Sequence, residues 1–265
     1  MGVVVRAEDS GEFHGPSIED FFPPAIFFEG TPFEINRLTI IRFIVLAAIV
    51  LAFWLFARNL KVVPGRWQSV GEMLLSFVRV NIADDMLGKA DGKRFAPLLT
   101  TIFIMVLGMN LTGIIPGLNL AGTATIGMPL LLTVIAYVVF IYAGVKKFGA
   151  GHYFKAALFP AGVPKWLYPL MTPIEFLSTF VIRPVSLTLR LLMNMVVGHL
   201  LLVLCFSATS FFLLEAPDLF KALSGVTLLM GFVFTLFEIM VAVLQAYIFV
   251  LLTTAYIQLA LEDEH

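Results

Sequence analysis

Charge is scarce in this chain. Asp, Glu, Lys and Arg together make up 13% of its 265 residues, about half the share found in an average soluble domain. Hydrophobic residues make up 60% and the mean hydropathy is +0.97. An ordinary water-soluble fold is excluded, because a soluble domain of this length needs far more polar surface. Cysteine is nearly absent. The single Cys205 excludes an internal disulfide and argues against a metal-thiolate cluster, so it reads as a small packing thiol. No nucleotide-binding loop, no paired metal ligands on one helix and no serine-nucleophile motif occurs, so hydrolysis by this chain is not expected. No cofactor, metal, nucleic acid or directly bound nucleotide is expected, and the chain does not read as an enzyme.

The few charges are unevenly placed. Residues 1–37 carry Glu8, Asp9, Glu12, Glu19, Asp20, Glu29 and Glu34 against Arg6 and Arg37, without the basic start and apolar core of a cleaved secretion signal. The loop after the first apolar run carries Arg58, Lys61, Arg66, Arg79, Lys89, Lys93 and Arg94, and a later one Lys146, Lys147, Lys155 and Lys165. By the positive-inside rule these loops are cytoplasmic. Residues 1–37 then form an extracytoplasmic segment, and 38–265 a single transmembrane helical domain ending in the cytoplasm.

The long apolar runs predict an all-α polytopic membrane protein with about five spanning helices and one interfacial helix. Spans are expected near 38–57, 96–115 and 128–145. Residues 70–86 mix Leu74, Phe77 and Ile82 with Glu72, Arg79 and Asp84, a pattern suited to the interface. Residues 149–169 read as a returning loop broken by Pro160, Pro164 and Pro169. The last two helices, near 173–208 and 219–261, reach roughly 54 and 64 Å at 1.5 Å per residue. Both exceed a bilayer, so they must tilt, bend or project into water, and Pro184 offers one place to bend. The short turn at 211–218 makes them an antiparallel hairpin.

Arg190 lies far from either end of its apolar stretch. A guanidinium does not shed its proton there, and a charge at that depth costs between ~3 and ~15 kcal/mol. Residues at one depth of an antiparallel hairpin have a nearly constant position sum. Arg190 with Gln245, and His199 with Glu238, satisfy one register to within about two residues. His199 and Glu238 fall nearer the outer face, Ser186, Arg183, Ser178 and Glu175 nearer the inner. Asn194 shares the face of Arg190, whereas His199, nine residues on, lies opposite, and Glu238 and Gln245 share one face of the last helix. The histidine and glutamate therefore line something other than what Arg190 addresses, and both can exchange protons when wetted. Glu175 also sits where a helix N-terminus would favour a carboxylate.

The run Arg183-Pro-Val-Ser-Leu-Thr-Leu-Arg190-Leu-Leu-Met-Asn194, with Gly198-His199, Leu244-Gln245-Ala-Tyr-Ile-Phe and Asn110-Leu-Thr-Gly-Ile-Ile-Pro116, resembles subunit a of the rotary F-type ATP synthase. The resemblance implies a membrane stator that carries protons through two offset half-channels. Arg190 would be the essential stator arginine and Gln245 its neighbour, with Asn194 beside it facing the rotating c-ring. His199 and Glu238 would form the outer half-channel, Glu175 and Ser186 would line the cytoplasmic exit, and Asn110 would line the channel or end its helix. Partners implied are c-ring subunits, peripheral-stalk b subunits and lipid, in a bacterial plasma membrane. The chain departs from the family pattern at Leu192-Met193, where relatives often have Phe-Gly, and at Thr123-Ala-Thr125, which lacks an acid often found there.

The alternative is a proton- or sodium-coupled secondary transporter. Such folds usually show internal repeats and helices broken at mid-membrane; this sequence shows no repeat and two long, mostly unbroken helices.

Overall fold

Inside hydrocarbon a backbone amide finds no water, so a long apolar run closes its hydrogen bonds within itself as a helix. The computed structural model describes residues 25–27, 35–58, 61, 65–115, 121–158, 167–214, 217 and 221–262. Five stretches among them are long and apolar enough to cross a membrane: Arg37–Arg58, Gln68–Leu111, Gly127–Phe148, Tyr168–Leu214 and Lys221–Leu261. A multi-pass, all-helical membrane architecture follows. Most of the acidic 1–37 segment, residues 116–120 and the expected turn residues Glu215 and Asp218 lie outside the described residues.

A small antiparallel ribbon, β1 (Ala25–Phe27) with β2 (Ile35–Asn36), leads directly into α1 (Arg37–Arg58); composition gave no sign of it. Asn36 caps α1: its Oδ1 accepts from the Thr39 amide and the Thr39 hydroxyl, both at 2.9 Å. An amide oxygen at that position satisfies a donor that the first turn leaves open. Arg58 ends the helix, favourably placed against the carbonyl end of the dipole, and lies over the Trp54 ring at 5.2 Å.

The segment expected at the interface is α2 (Arg66–Val78) and a π-helical continuation, Arg79–Asp84. The helix runs on into α3 (Asp85–Leu111), interrupted only at Gly88, whose φ of 76° a residue with a side chain rarely adopts. Val78, Ile82 and Ala83 are buried against α3, while Glu72, Met73, Arg79 and Val80 are exposed. The mixed polarity thus serves an amphipathic helix folded back on its neighbouring span.

Helix α4 (Gly127–Phe148) ends at Gly149, φ 83°, and the chain turns at once into α5 (Ala150–Leu158). This short helix occupies part of the expected loop. Its Tyr153 ring lies against Gly144, where even a Cβ would collide. Burial pushes the Tyr153 phenol up to about 12, Tyr137 adding and Arg183 opposing.

The first long helix begins earlier than expected. Helix α6 (Tyr168–Leu177) has Pro169 in its first turn, where a missing N–H costs nothing, so Pro169 starts the helix instead of breaking it. A π-helical segment, Ser178–Ile182, joins α6 to α7 (Arg183–Leu214). Pro184 cannot donate to the carbonyl of Phe180, and the ladder widens where that bond is missing. The continuous helix of 47 residues is roughly 70 Å long and extends through Leu214, into the expected turn. Helix α8 (Lys221–Leu261) has 41 residues, or roughly 62 Å.

The core lies among α3, α4, α7 and α8. Leu99, Val106, Leu191, Phe249, Val250 and Ile257 are fully buried. Ala242 and Ala246, also fully buried, are the small residues that let helices approach where no water drives association. The Thr188 and Thr133 hydroxyls bond at 3.0 Å between α7 and α4, and Lys147 donates to the Leu261 carbonyl at 2.6 Å, tying the end of α8 to the end of α4.

Candidate functional site

The α7–α8 hairpin is held in one register along its length. Thr209 and Thr227 bond at 2.8 Å, Phe206 packs where a Cβ on Gly231 would stand at 3.1 Å, and Glu238 lies against Gly198. Farther along, Asn194 Nδ2 donates to Gln245 Oε1 at 2.7 Å. These pairs agree on one register to within about three residues, the register expected from the polar residues alone. The partner Gln245 finds is Asn194, one turn beyond Arg190.

The two faces of α7 divide as the helical period requires. Ser186, Arg190, Met193 and Val197 are exposed, while Leu187, Leu191, Met195 and His199 are buried. The exposed residues form a stripe that α8 does not cover, flanked by exposed Leu236, Met240, Val243 and Leu244 of α8. Arg190 is the cation in this stripe. Among the described residues the only ion pair joins Arg79 and Asp84, at 3.8 Å. No carboxylate of the described chain neutralises Arg190. Ser186, one turn earlier on the same face, is held to its own helix, donating to the Arg183 carbonyl at 3.0 Å. Met193, also exposed, occupies the next turn of the stripe.

Glu238 is of another kind. It is 3% exposed, and both carboxyl oxygens are buried without a hydrogen-bond partner among the described residues. A Cβ on Gly198 would stand 2.9 Å from its Oε1, so glycine at 198 is what lets the carboxyl lie against α7; His199, the next residue in the chain, is 7% exposed. Gln245, 1% exposed, bonds through its oxygen, and its amide nitrogen has no partner among the described residues. The hairpin interior therefore holds two polar groups whose bonding capacity water or a proton would complete. Gly198→Ala should force the Glu238 carboxyl to shift away from α7.

The other expected site residues lie apart. Glu175 is half-buried in α6, two turns inside a helix that begins at Tyr168, so the dipole of a first turn does not account for it. Asn110 is fully buried at the other end of the molecule, its Oδ1 accepting from Thr123 at 2.7 Å. The Thr123-Ala-Thr125 loop, which lacks an acid, is tied to this end of the chain by Thr123. Arg42 of α1 donates through Nε to the Gly122 carbonyl at 2.8 Å and through Nη2 to Thr125. The rule that singles out Arg190 applies equally to Arg42, an arginine inside the first span. Near the opposite ends of α7 and α8, Arg183 lies over Tyr256 at 5.6 Å, beside Tyr137 and Tyr153.

Comparison with known proteins agrees with this architecture. Residues 39–258 match the family described as ATP synthase A chain. The chain is 49% identical to an ATP synthase subunit a of Rhodococcus erythropolis, over 100% of this chain and 96% of the relative. It is 36% identical to one from Pseudarthrobacter chlorophenolicus, over the whole of both chains. A Streptomyces lividans subunit a is 36% identical over 97% of this chain and 91% of the relative. With the family match spanning most of its length and full-length relatives at this identity, the chain belongs to the ATP synthase subunit a family.

Proposed function

We propose that this chain is the stationary, non-catalytic subunit of a proton-driven rotary ATP synthase, and that the stripe containing Arg190 faces a rotating ring of c subunits. The observation that carries this is an arginine in the middle of a spanning helix, exposed on the chain's own surface and with no carboxylate of the described chain to neutralise it. A charge so placed is costly in lipid, so its counterpart belongs to another chain.

A fixed guanidinium attracts a carboxylate on a moving partner and favours its ionised form. Elsewhere in lipid the same carboxyl must be neutral. A ring carboxyl therefore gives up its proton before passing Arg190 and takes another after it, so proton flow and ring rotation become one process. His199 and Glu238 relay protons from the outer face, and Glu175 and Ser186 line the inner exit. Asn194 and Gln245, bonded to each other, fix the wall beside Arg190. Asn110 with Thr123 lines or closes the outer entrance. Peripheral-stalk b subunits hold the chain against the ring, the N-terminus lies outside and the C-terminus in the cytoplasm. A potential worth ~2.3 kcal/mol per charge per 100 mV makes several protons sufficient for a demanding reaction in the attached catalytic subunits.

Cysteine scanning tests which face meets the ring. With Cys205 replaced by serine, cysteines at Ser186, Met193 and Val197 should cross-link to cysteines on the outer helix of the ring subunit in intact membranes. Cysteines at the buried Leu191 and Met195 should not. Cross-linking that ignores this periodicity defeats the assignment. A transporter acting alone would instead move ions with no ring present.

A further inference from the structure

Two cavities open side by side between α1, α2 and α3, away from the α7–α8 hairpin. The first, about 360 Å³, is walled by Phe53, Leu75 and Pro97 and carries two cations, Arg79 and Lys93. The second, about 300 Å³, has no polar side chain in its lining; Ile49, Phe56, Leu74 and Ile104 are among its walls. Phe53 and Leu75 belong to both, so a charged compartment continues into an apolar one. Arg79 meets Asp84 only through Nε, at 3.8 Å, and both terminal nitrogens of its guanidinium donate to nothing among the described residues. Lys93 is exposed and likewise unengaged. The lining of this cavity holds two cations and no carboxylate. The cations sit at the end of α1 and α3 that the loop charges assign to the cytoplasm.

A cationic compartment that opens into an apolar one matches an amphiphile with an anionic head and a hydrocarbon tail. Basic pockets between spanning helices at the cytoplasmic leaflet suit anionic headgroups. We propose that this cleft holds one anionic glycerophospholipid, its phosphate between Arg79 and Lys93 and one acyl chain along Ile49, Phe56, Leu74 and Ile104. Such a lipid fills the space between the first span and the rest of the chain. The assignment is independent of the role of Arg190.

The intact complex, stripped of lipid in detergent, is titrated with phosphatidylglycerol, and bound lipid is counted by native mass spectrometry. The double variant Arg79→Gln, Lys93→Gln should retain one phosphatidylglycerol fewer, with that site weakened roughly 10- to 30-fold and phosphatidylcholine retention unchanged. Leu74→Trp, which blocks the apolar compartment and keeps both cations, should lose the same lipid. Wild-type retention in either variant overturns the proposal. So does displacement of the lipid by millimolar inorganic phosphate, which would mark a soluble-anion site, or a density map with a protein helix in the cleft.

Discussion

Arg190→Ala should abolish proton-driven ATP synthesis in the purified complex reconstituted into vesicles, by at least about 100-fold. The residue is exposed on α7 with no acidic partner among the described residues, so removing it orphans no described carboxylate, and the complex should assemble with its usual composition. On the proposed role, what is lost is the barrier: a protonated ring carboxyl would pass the stator without releasing its proton, and the two inlets would no longer be separated. Passive proton permeability of the vesicles should therefore rise as synthesis vanishes. Arg190→Lys should lose most of the activity: an ammonium offers a compact point charge on a flexible stem and, unlike guanidinium, sheds its proton readily when desolvated. Normal coupled synthesis in either variant refutes the role.

Replacing Glu238 separates function from folding. Its carboxyl is buried and neither oxygen has a partner among the described residues, and an unsatisfied buried polar group costs about 1 to 3 kcal/mol. Glu238→Leu should therefore leave thermal stability unchanged or raise it, while ATP-driven proton uptake falls at least about tenfold. Glu238→Gln keeps the shape and cannot ionise, so it should lose uptake to a similar degree; Glu238→Asp keeps the chemistry on a shorter stem and should retain part. Functional groups held at a cost in stability behave this way. If Glu238→Leu instead lowered the melting temperature and left uptake normal, the carboxyl would be structural and the outer relay would need another group.

The hairpin register shows how far the polar residues carry. Polar groups in an apolar helix are costly unless they meet, so Asn194, Gln245, His199 and Glu238 restrict the alignment of α7 and α8. That alignment is the one seen in the Asn194–Gln245 bond and the Glu238 contact with Gly198. The opposite facing of Arg190 and His199 was legible for a similar reason: nine residues of helix place them on opposite sides, and one is exposed, the other buried. The Arg42 latch was not legible. Its partners, the Gly122 carbonyl and Thr125, lie 80 and 83 residues away, and no local pattern announces a carbonyl acceptor. The fold-back of α2 was hidden as well, because an amphipathic stripe at the membrane surface and one packed on a neighbouring span have the same period.

By itself, the sequence determined that the chain crosses a membrane about five times as helices, which stretches do so, and that one arginine stands where hydrocarbon should be. Those conclusions depend on local quantities: run length, residue polarity and the 3.6-residue period. Tertiary structure alone decided that, among the described residues, Arg190 faces outward without an acidic partner and Glu238 lies against Gly198 without a hydrogen-bond partner, and that α1, α2 and α3 enclose a charged cleft continuous with an apolar one. Each of these depends on which helices lie side by side and at what distance, and small residues at the contacts settle that through packing that no single helix encodes.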